Sequence, residues 1–285
     1  MSIICRQGDR SDLPRLLEIE ASAIPGYAYL EDAQDILFDE STGEMIVAEE
    51  DGFPIGFGRF TLQEDGAAWL EILRVHKDHQ RKGCGTAIWK RYMELAESHH
   101  VPAMRMYTGD KNVGSRTLAE RNGLYLGWRT FEGVLTREQA EIFAAAEEVG
   151  EDNGFVRVSD ACETAWLMEP LRGDTRGYVC TNRTYYEMNE PLYRYLTENY
   201  EVWQKGASVA VTGARFLRER GLNLIFFGGD RKACIRQAAA QLLRSGLPRL
   251  VVMISADRED IKKELEDAGF VFAPSGILML ERRFL

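Results

Sequence analysis

In the first half of the chain the hydrophobic pattern switches repeatedly between strand-like alternation and helical spacing. Residues 2–6 form a short β-like run. Ser11 and Asp12 then offer a helix N-cap ahead of Leu13, Leu16, Leu17 and Ile19. A loop at 25–29 precedes a second helical stretch over 31–39. Residues 45–49 and 54–62 read as a hairpin joined at Asp51-Gly52, followed by a turn at 63–66 and a strand over 68–76. A polar loop, 77–82, leads into a long amphipathic helix over 85–98. A strand at 103–107, a helix at 112–122 closed by Gly123, and one or two strands within 124–135 complete the region. This order predicts a mixed α/β domain, an antiparallel meander followed by a strand–helix–strand crossover.

From Phe155 the pattern is less legible until Gly221. Residues 222–227 then give a strand, 231–244 a helix, 249–255 a strand and 257–268 a helix ended by Gly269, with β-rich sequence over 270–284. This tail repeats the first half at a constant offset. Ala87 falls on Ala233, Pro102 on Pro248, Glu120 on Glu266 and Gly123 on Gly269. The element order therefore predicts two tandem copies of one fold. The acidic, alanine-rich stretch 137–152 holds the expected boundary, giving domains 1–146 and 147–285.

Composition narrows the function classes. The chain has 285 residues, 45% hydrophobic and 28% charged, the balance of a globular protein with room for two cores. Its net charge of −10 argues against nucleic acid and anionic membranes as partners. Five cysteines (Cys5, Cys84, Cys162, Cys180, Cys234) are odd in number and lack paired spacing, so neither a disulfide framework nor a metal site is expected. No signal-peptide pattern and no membrane-length apolar run is visible, and a cytoplasmic location is the expectation.

The chemistry concentrates in Glu71–Thr86, EILRVHKDHQRKGCGT. An apolar strand ends at Val75, a basic loop follows, and Gly83 and Gly85 open a helix. Glycines let backbone amides approach an anion, and a helix N-terminus adds partial positive charge. A P-loop would need GxxxxGK[ST], and a dinucleotide fingerprint would need glycine where Ile88 stands. A plain glycine-rich turn before a surface helix remains the alternative.

Val75 to Gly85 resembles the V-x-P-x-x-(Q/R)-x-x-G-x-(G/A) signature of the GNAT N-acetyltransferases, with Gln80, Gly83 and Gly85 on its defining positions and Lys77 in place of proline. Asn112 to Gly123 is similar to that family's N-x-x-A-x-x-x-Y-x-x-x-G-F helix, and VAEEDGFPIGFGRF to its preceding hairpin. The resemblance covers about residues 1–135 and implies the acyl-CoA N-acyltransferase fold, with acetyl-CoA as co-substrate and no metal. It implies that Leu73 and Val75 pair with the pantetheine arm and that Gln80, Arg81, Lys82, Gly83, Cys84, Gly85 and Thr86 cradle the pyrophosphate. Asn112 and Ser115 would contact the arm from the later helix, although Asn112 also reads as a simple N-cap.

The same resemblance implies direct attack of an amine on the thioester. An amine of pKa about 10.4 is mostly protonated at neutral pH, so a base is needed. Glu71 is the candidate, because a period of two places it on one strand face with Leu73 and Val75; a salt-bridged strand glutamate is the alternative. The family's tyrosine position is Ala119, which leaves Tyr125 or Tyr107, or no acid, for the departing thiolate. Tyr27, Tyr29 and Glu31, in the loop between the first two helices, are candidates for gripping the acceptor by cation–π and charge contacts, or merely pack that loop. His99-His100 at a helix end needs no ligand to explain it.

The second copy passes from strand to helix through Gly228-Gly229-Asp230 alone, too short and too acidic to hold a pyrophosphate. It reads as a degenerate GNAT-like half, in a layout similar to that of mycothiol synthases. The expected function is N-acetylation of a primary amine on a small molecule or peptide, by a monomer or homodimer. An acyl-CoA sensor without turnover is the alternative.

Overall fold

The computed structural model describes residues 3–26, 28–146 and 153–284. These divide into two compact units. The first comprises Met1–Tyr107, Asn112–Tyr125 and Leu280–Leu285, and the second Thr108–Lys111 and Leu126–Met279. The two units adjoin at 125/126, and the last residues of the chain belong to the first unit.

In the first unit β1 (Ile3–Gln7), β2 (Gly43–Glu50), β3 (Phe53–Leu62) and β4 (Ala68–Val75) form an antiparallel meander, and β5 (Ala103–Gly109) runs parallel to β4. Helix α1 (Leu13–Ala23) packs on β3 and β4. The helical stretch expected over 31–39 shrinks to one turn, α2 (Gln34–Leu37). Asp12 is the N-cap residue of α1, as expected, but its carboxylate reaches back to the Asp9 amide at 3.0 Å instead of into the helix. Asp9 accepts from the Ser11 amide, and Asp12 is bound by Arg6 at 2.7 Å.

Helix α3 (Cys84–Ser98) lies on the other sheet face. It buries Ile88, Trp89, Tyr92, Leu95 and Ala96, the i, i+4, i+7 stripe of an amphipathic helix, against Ile46, Ala48, Phe60 and Leu70. Two glycines on β3 permit this close approach. A Cβ at Gly58 would lie 2.1 Å from the Tyr92 hydroxyl, and one at Gly56 2.5 Å from Cys84 Sγ. Helix α4 (Val113–Arg121) joins the same core through Ala119.

The second unit repeats this order. Strand β6 (Tyr125–Thr136), helix α5 (Arg137–Ala146), β7 (Val156–Val158) and α6 (Ala161–Met168) come first. A separate hairpin follows, β8 (Tyr178–Thr181) with β9 (Thr184–Glu187), then α7 (Glu190–Asn199), β10 (Glu201–Lys205) and β11 (Ser208–Gly213). The legible tail supplies β12 (Leu222–Gly228), α8 (Arg231–Ser245), β13 (Arg249–Ser255), α9 (Glu259–Asp267), β14 (Val271–Phe272) and β15 (Ile277–Arg283). Its sheet runs β6-β13-β12-β11-β10-β7. Within the stretch expected to hold the boundary, residues 137–146 form helix α5, whose Ala140 and Phe143 are buried with Leu135, Ile235 and Leu242 in this unit's core, and 147–152 lie outside the described residues.

The terminal residues are fastened to the first unit by charge. Arg105 on β5 is 1% exposed and binds Asp65, in the turn before β4, at 2.5 Å and Glu281 on β15 at 2.6 Å. The Phe284 amide donates to the Pro102 carbonyl at 2.9 Å, and Arg282 donates to the Asn122 carbonyl at 2.9 Å. Buried charges hold only as a complete set, because removing one member leaves the others desolvated and unpaired. Glu281→Gln should therefore destabilise the first unit by about 3–5 kcal/mol in denaturant titration. Ending the chain before Leu280 should prevent the first unit from folding stably, and an unchanged melting temperature would refute both expectations.

Candidate cofactor and acceptor site

Strands β4 and β5 pair only at Ala68↔Met104 and Trp69↔Arg105. Beyond these two pairs their ladder stops, although β4 continues to Val75 and β5 to Gly109. The two strands diverge into a wedge whose apex is Arg105. A wedge of this kind leaves strand-edge amides and carbonyls of β4 free to pair with an extended ligand.

At its mouth stands the N-terminus of α3. Gly83 is the N-cap, at φ 97°, and no side chain caps the first-turn amides. The first intrahelical bond runs from the Ala87 amide to the Gly83 carbonyl at 2.9 Å, so the amides of Cys84, Gly85 and Thr86 have no helical acceptor. A Cβ on Gly83 would meet only Ile3 at 4.0 Å, so its glycine is required by the positive φ and not by crowding. Arg81 adopts φ 61°, and Arg81 and Lys82 are exposed with no ion-pair partner among the described residues. These features form a cationic, amide-lined cradle that can hold a phosphate group. Cys84 is buried within it, and burial pushes its thiol up to about 12.

The His76 amide donates to Ile55 on β3 at 2.9 Å. By strand alternation the carbonyls of Val75 and Leu73 then point the other way, toward the open edge. Both have side-chain partners: Gln80 Nε2 donates to Val75 O at 3.2 Å and an Arg74 guanidinium nitrogen to Leu73 O at 3.0 Å. A ligand strand added at this edge would replace these two contacts.

The face assignment of Glu71 differs from the sequence expectation. Gly56↔Val75 and Phe57↔Arg74 are followed by Arg59↔Glu71, so β4 carries one extra residue opposite Gly58. Ile72 sits at this bulge with φ 56°. One inserted residue reverses the alternation, and Glu71 faces away from Leu73 and Val75. Glu71 lies on the α1 side of the sheet with Arg59 and Thr61, 7% exposed, and accepts a 2.7 Å hydrogen bond from Thr61 Oγ1. Arg59 is buried beside it and donates to Thr61 Oγ1 at 3.3 Å, Thr42 Oγ1 at 2.9 Å and the Asp39 carbonyl at 2.7 Å.

The other candidates scatter. Asn112 caps α4, its Oδ1 accepting from the Ser115 amide at 3.2 Å, so the capping reading of Asn112 holds and its amide nitrogen alone is left for a ligand. Ala119 is fully buried. Tyr125 is 50% exposed, with its hydroxyl 3.5 Å from Glu281 Oε1. Tyr107 stacks on Trp69, ring centroids 6.2 Å apart, on the Glu71 face of the wedge. Tyr27 lies outside the described residues. Tyr29 is half-buried and Glu31 exposed.

Sequence reading missed Glu20. It is fully buried on α1, and its carboxylate accepts from the amides of Tyr29 at 3.4 Å and Leu30 at 3.1 Å, fixing the loop that carries Tyr29. The available signal was an acid on the apolar stripe of Leu16 and Ile19.

In the second unit β12 and β13 also pair over a short ladder, Leu222↔Leu250 to Leu224↔Val252. The chemistry there is reversed. Asp230 caps α8, its carboxylate accepting from the Ala233 amide at 3.0 Å, where α3 has a bare glycine. The segment 169–175 packs against β13, and Leu171 lies so close to Gly228 that a Cβ there would be 2.5 Å from its Cδ1. Asp174 in that segment is bound by Arg258. Carboxylate and side chains take the place of the cradle.

The fold and cradle together define an acyltransferase-type domain, and comparison with known proteins agrees. Residues 13–124 match the Acetyltransferase (GNAT) family model. No curated protein matches the chain significantly. Among solved structures, a GCN5-related N-acetyltransferase from Sphaerobacter thermophilus is similar at TM-score 0.65 and 13% identity, covering 99% of this chain and 95% of that one. Putative acetyltransferases from Pyrococcus horikoshii and Thermoplasma acidophilum are similar at TM-score 0.63 and 14% identity, covering 99% of this chain and 90% and 100% of theirs. These likenesses concern the fold, and they extend through both units. Residues 13–124 are thus a GNAT-family domain lying within the first unit, and the likeness of fold runs on through the second.

If the cradle binds a phosphate, a bulky side chain at Gly83 blocks it. Gly83→Trp should weaken acetyl-CoA binding at least about a hundredfold by calorimetry, with only about 1–2 kcal/mol lost from folding for the positive φ. Undiminished affinity would reject the cradle.

Proposed function

We propose that the first unit transfers an acetyl group from acetyl-CoA to a primary amine by direct attack. The observation that carries this reading is the uncapped N-terminus of α3 beside the β4–β5 wedge, with the carboxylate of Glu71 held on one face of the strand that lines it. The amides of Cys84–Thr86 with Arg81 and Lys82 would hold the pyrophosphate, and the β4 edge at Leu73 and Val75 would align the pantetheine arm. The thioester supplies an activated acyl carbon.

Glu71 takes the proton from the amine, directly or through water, as the N–C bond forms and the C–S bond breaks. Thr61 fixes the orientation of that carboxylate. The thiolate receives a proton from solvent or from Tyr107, which shares the Glu71 face; the Tyr125 hydroxyl is directed at Glu281 instead. Direct attack is favoured over an acyl-cysteine step because the cysteine in the cradle, Cys84, is buried with its thiol pushed up to about 12. At neutral pH such a thiol supplies no useful thiolate.

Ala119, buried where the family carries tyrosine, favours the second reading, an acyl-CoA sensor without turnover. Thiol release from acetyl-CoA across a panel of amines decides between them. Turnover supports the enzyme, and tight cofactor binding with no acceptor-dependent release supports the sensor. Glu71→Gln should lower the rate by about 10²–10⁴-fold near pH 7, and by less as pH rises toward the amine pKa, where the free base is already abundant. A loss of equal size at every pH would remove Glu71 as the base.

A further inference from the structure

Most partly buried arginines in the first unit have acidic or polar partners. Arg6 binds Asp12 and Glu49, Arg91 binds Glu44, Arg105 binds Asp65 and Glu281, and Arg59 is held by Thr42, Thr61 and the Asp39 carbonyl. Arg74 is different. It is half-buried, its Nε is buried without a hydrogen-bond partner, and among the described residues no carboxylate pairs with it. Among the described residues, its hydrogen bond is the donation to Leu73 O, at the open edge of the wedge. In a chain with ten more acids than bases, a half-buried guanidinium whose Nε is shut off from water without an acceptor carries an uncompensated cost.

Its place in the fold says what would compensate it. Arg74 is opposite Phe57 and Glu71 opposite Arg59, so both lie on the α1 face, two β3 positions apart. That spacing is roughly 6–7 Å along the strand. A small molecule whose amine reaches Glu71 can therefore set an anionic group against Arg74, where the planar guanidinium suits the two oxygens of a carboxylate. We infer that Arg74 anchors the acceptor, and that the acceptor is a primary amine which also carries a carboxylate, an amino acid or a compound of that type. This inference rests on the acetyltransferase reading above.

Matched acceptors test it: lysine against cadaverine, and phenylalanine against phenethylamine, each with acetyl-CoA. The wild-type chain should favour the carboxylate-bearing member by about tenfold or more in kcat/KM. Arg74→Gln should collapse that ratio toward one, mainly through KM, and Arg74→Lys should restore part of it. Melting temperatures confirm that both variants fold. A wild-type preference for the decarboxylated amines, or a ratio unaffected by Arg74→Gln, would overturn the inference while leaving the transferase reading intact. So would a preference that follows a carboxylate on the acyl donor, read with malonyl-CoA in place of acetyl-CoA. If no amine of either kind releases CoA from a protein that binds acetyl-CoA by calorimetry, the transferase reading fails and this inference falls with it.

Discussion

A single buried charge cluster sets the geometry on which the candidate site depends. Arg105 is the last residue of β5 paired to β4, so the wedge begins where this guanidinium is held. Asp65 and Glu281 grip it from the turn before β4 and from the final strand, in a region with almost no solvent. Three segments far apart in sequence must be in place together for these charges to be tolerable. The cluster also divides the first unit's labour. Below it the sheet is continuously paired; beyond it β4 is free on one edge, beside an anion-seeking helix terminus.

The cradle was legible in the sequence because its requirements are local. A glycine at positive φ, a helix start and adjacent basic residues all lie within a few positions of one another. The shape of the cradle therefore emerges from pattern and spacing, while the cofactor roles expected of its residues come from the family resemblance. The face of Glu71 was not legible, since the bulge at Ile72 arises from how β4 meets β3 and leaves no sign in the periodicity. Gly58, opposite the bulge, is explained only by the Tyr92 hydroxyl beneath it. Asn112 shows the complementary case, where a residue type with an ordinary structural use takes that use.

Larger-scale misreadings share a cause. Helix α5 buries Ala140 and Phe143, too sparse an apolar stripe to stand out within an acidic, alanine-rich stretch. Residues between 155 and 221 resisted reading because β7, β8 and β9 are three or four residues long, shorter than a periodicity can register. The helical repeat was plain in the tail, where α8, β13 and α9 follow at nearly the offset that the alignment of Gly123 with Gly269 gives. The second copy keeps the divergent strand pair yet caps its helix with Asp230 and packs Leu171 against Gly228. The framework recurs there without the cradle.

The return of residues 280–285 to the first unit has a bearing on how the protein is made. The segment that completes the Arg105 cluster leaves the ribosome only after the whole second copy has been synthesised, roughly 8–30 s after Tyr125 at ordinary elongation rates. During that interval β5 lacks β15, the strand that pairs beside it, and Arg105 lacks the Glu281 carboxylate. The nascent first unit is thus an unfinished sheet with an exposed edge, the kind of surface that recruits chaperones or pairs with other chains. Slow translation of the second half would lengthen that exposure without changing a single residue of the site.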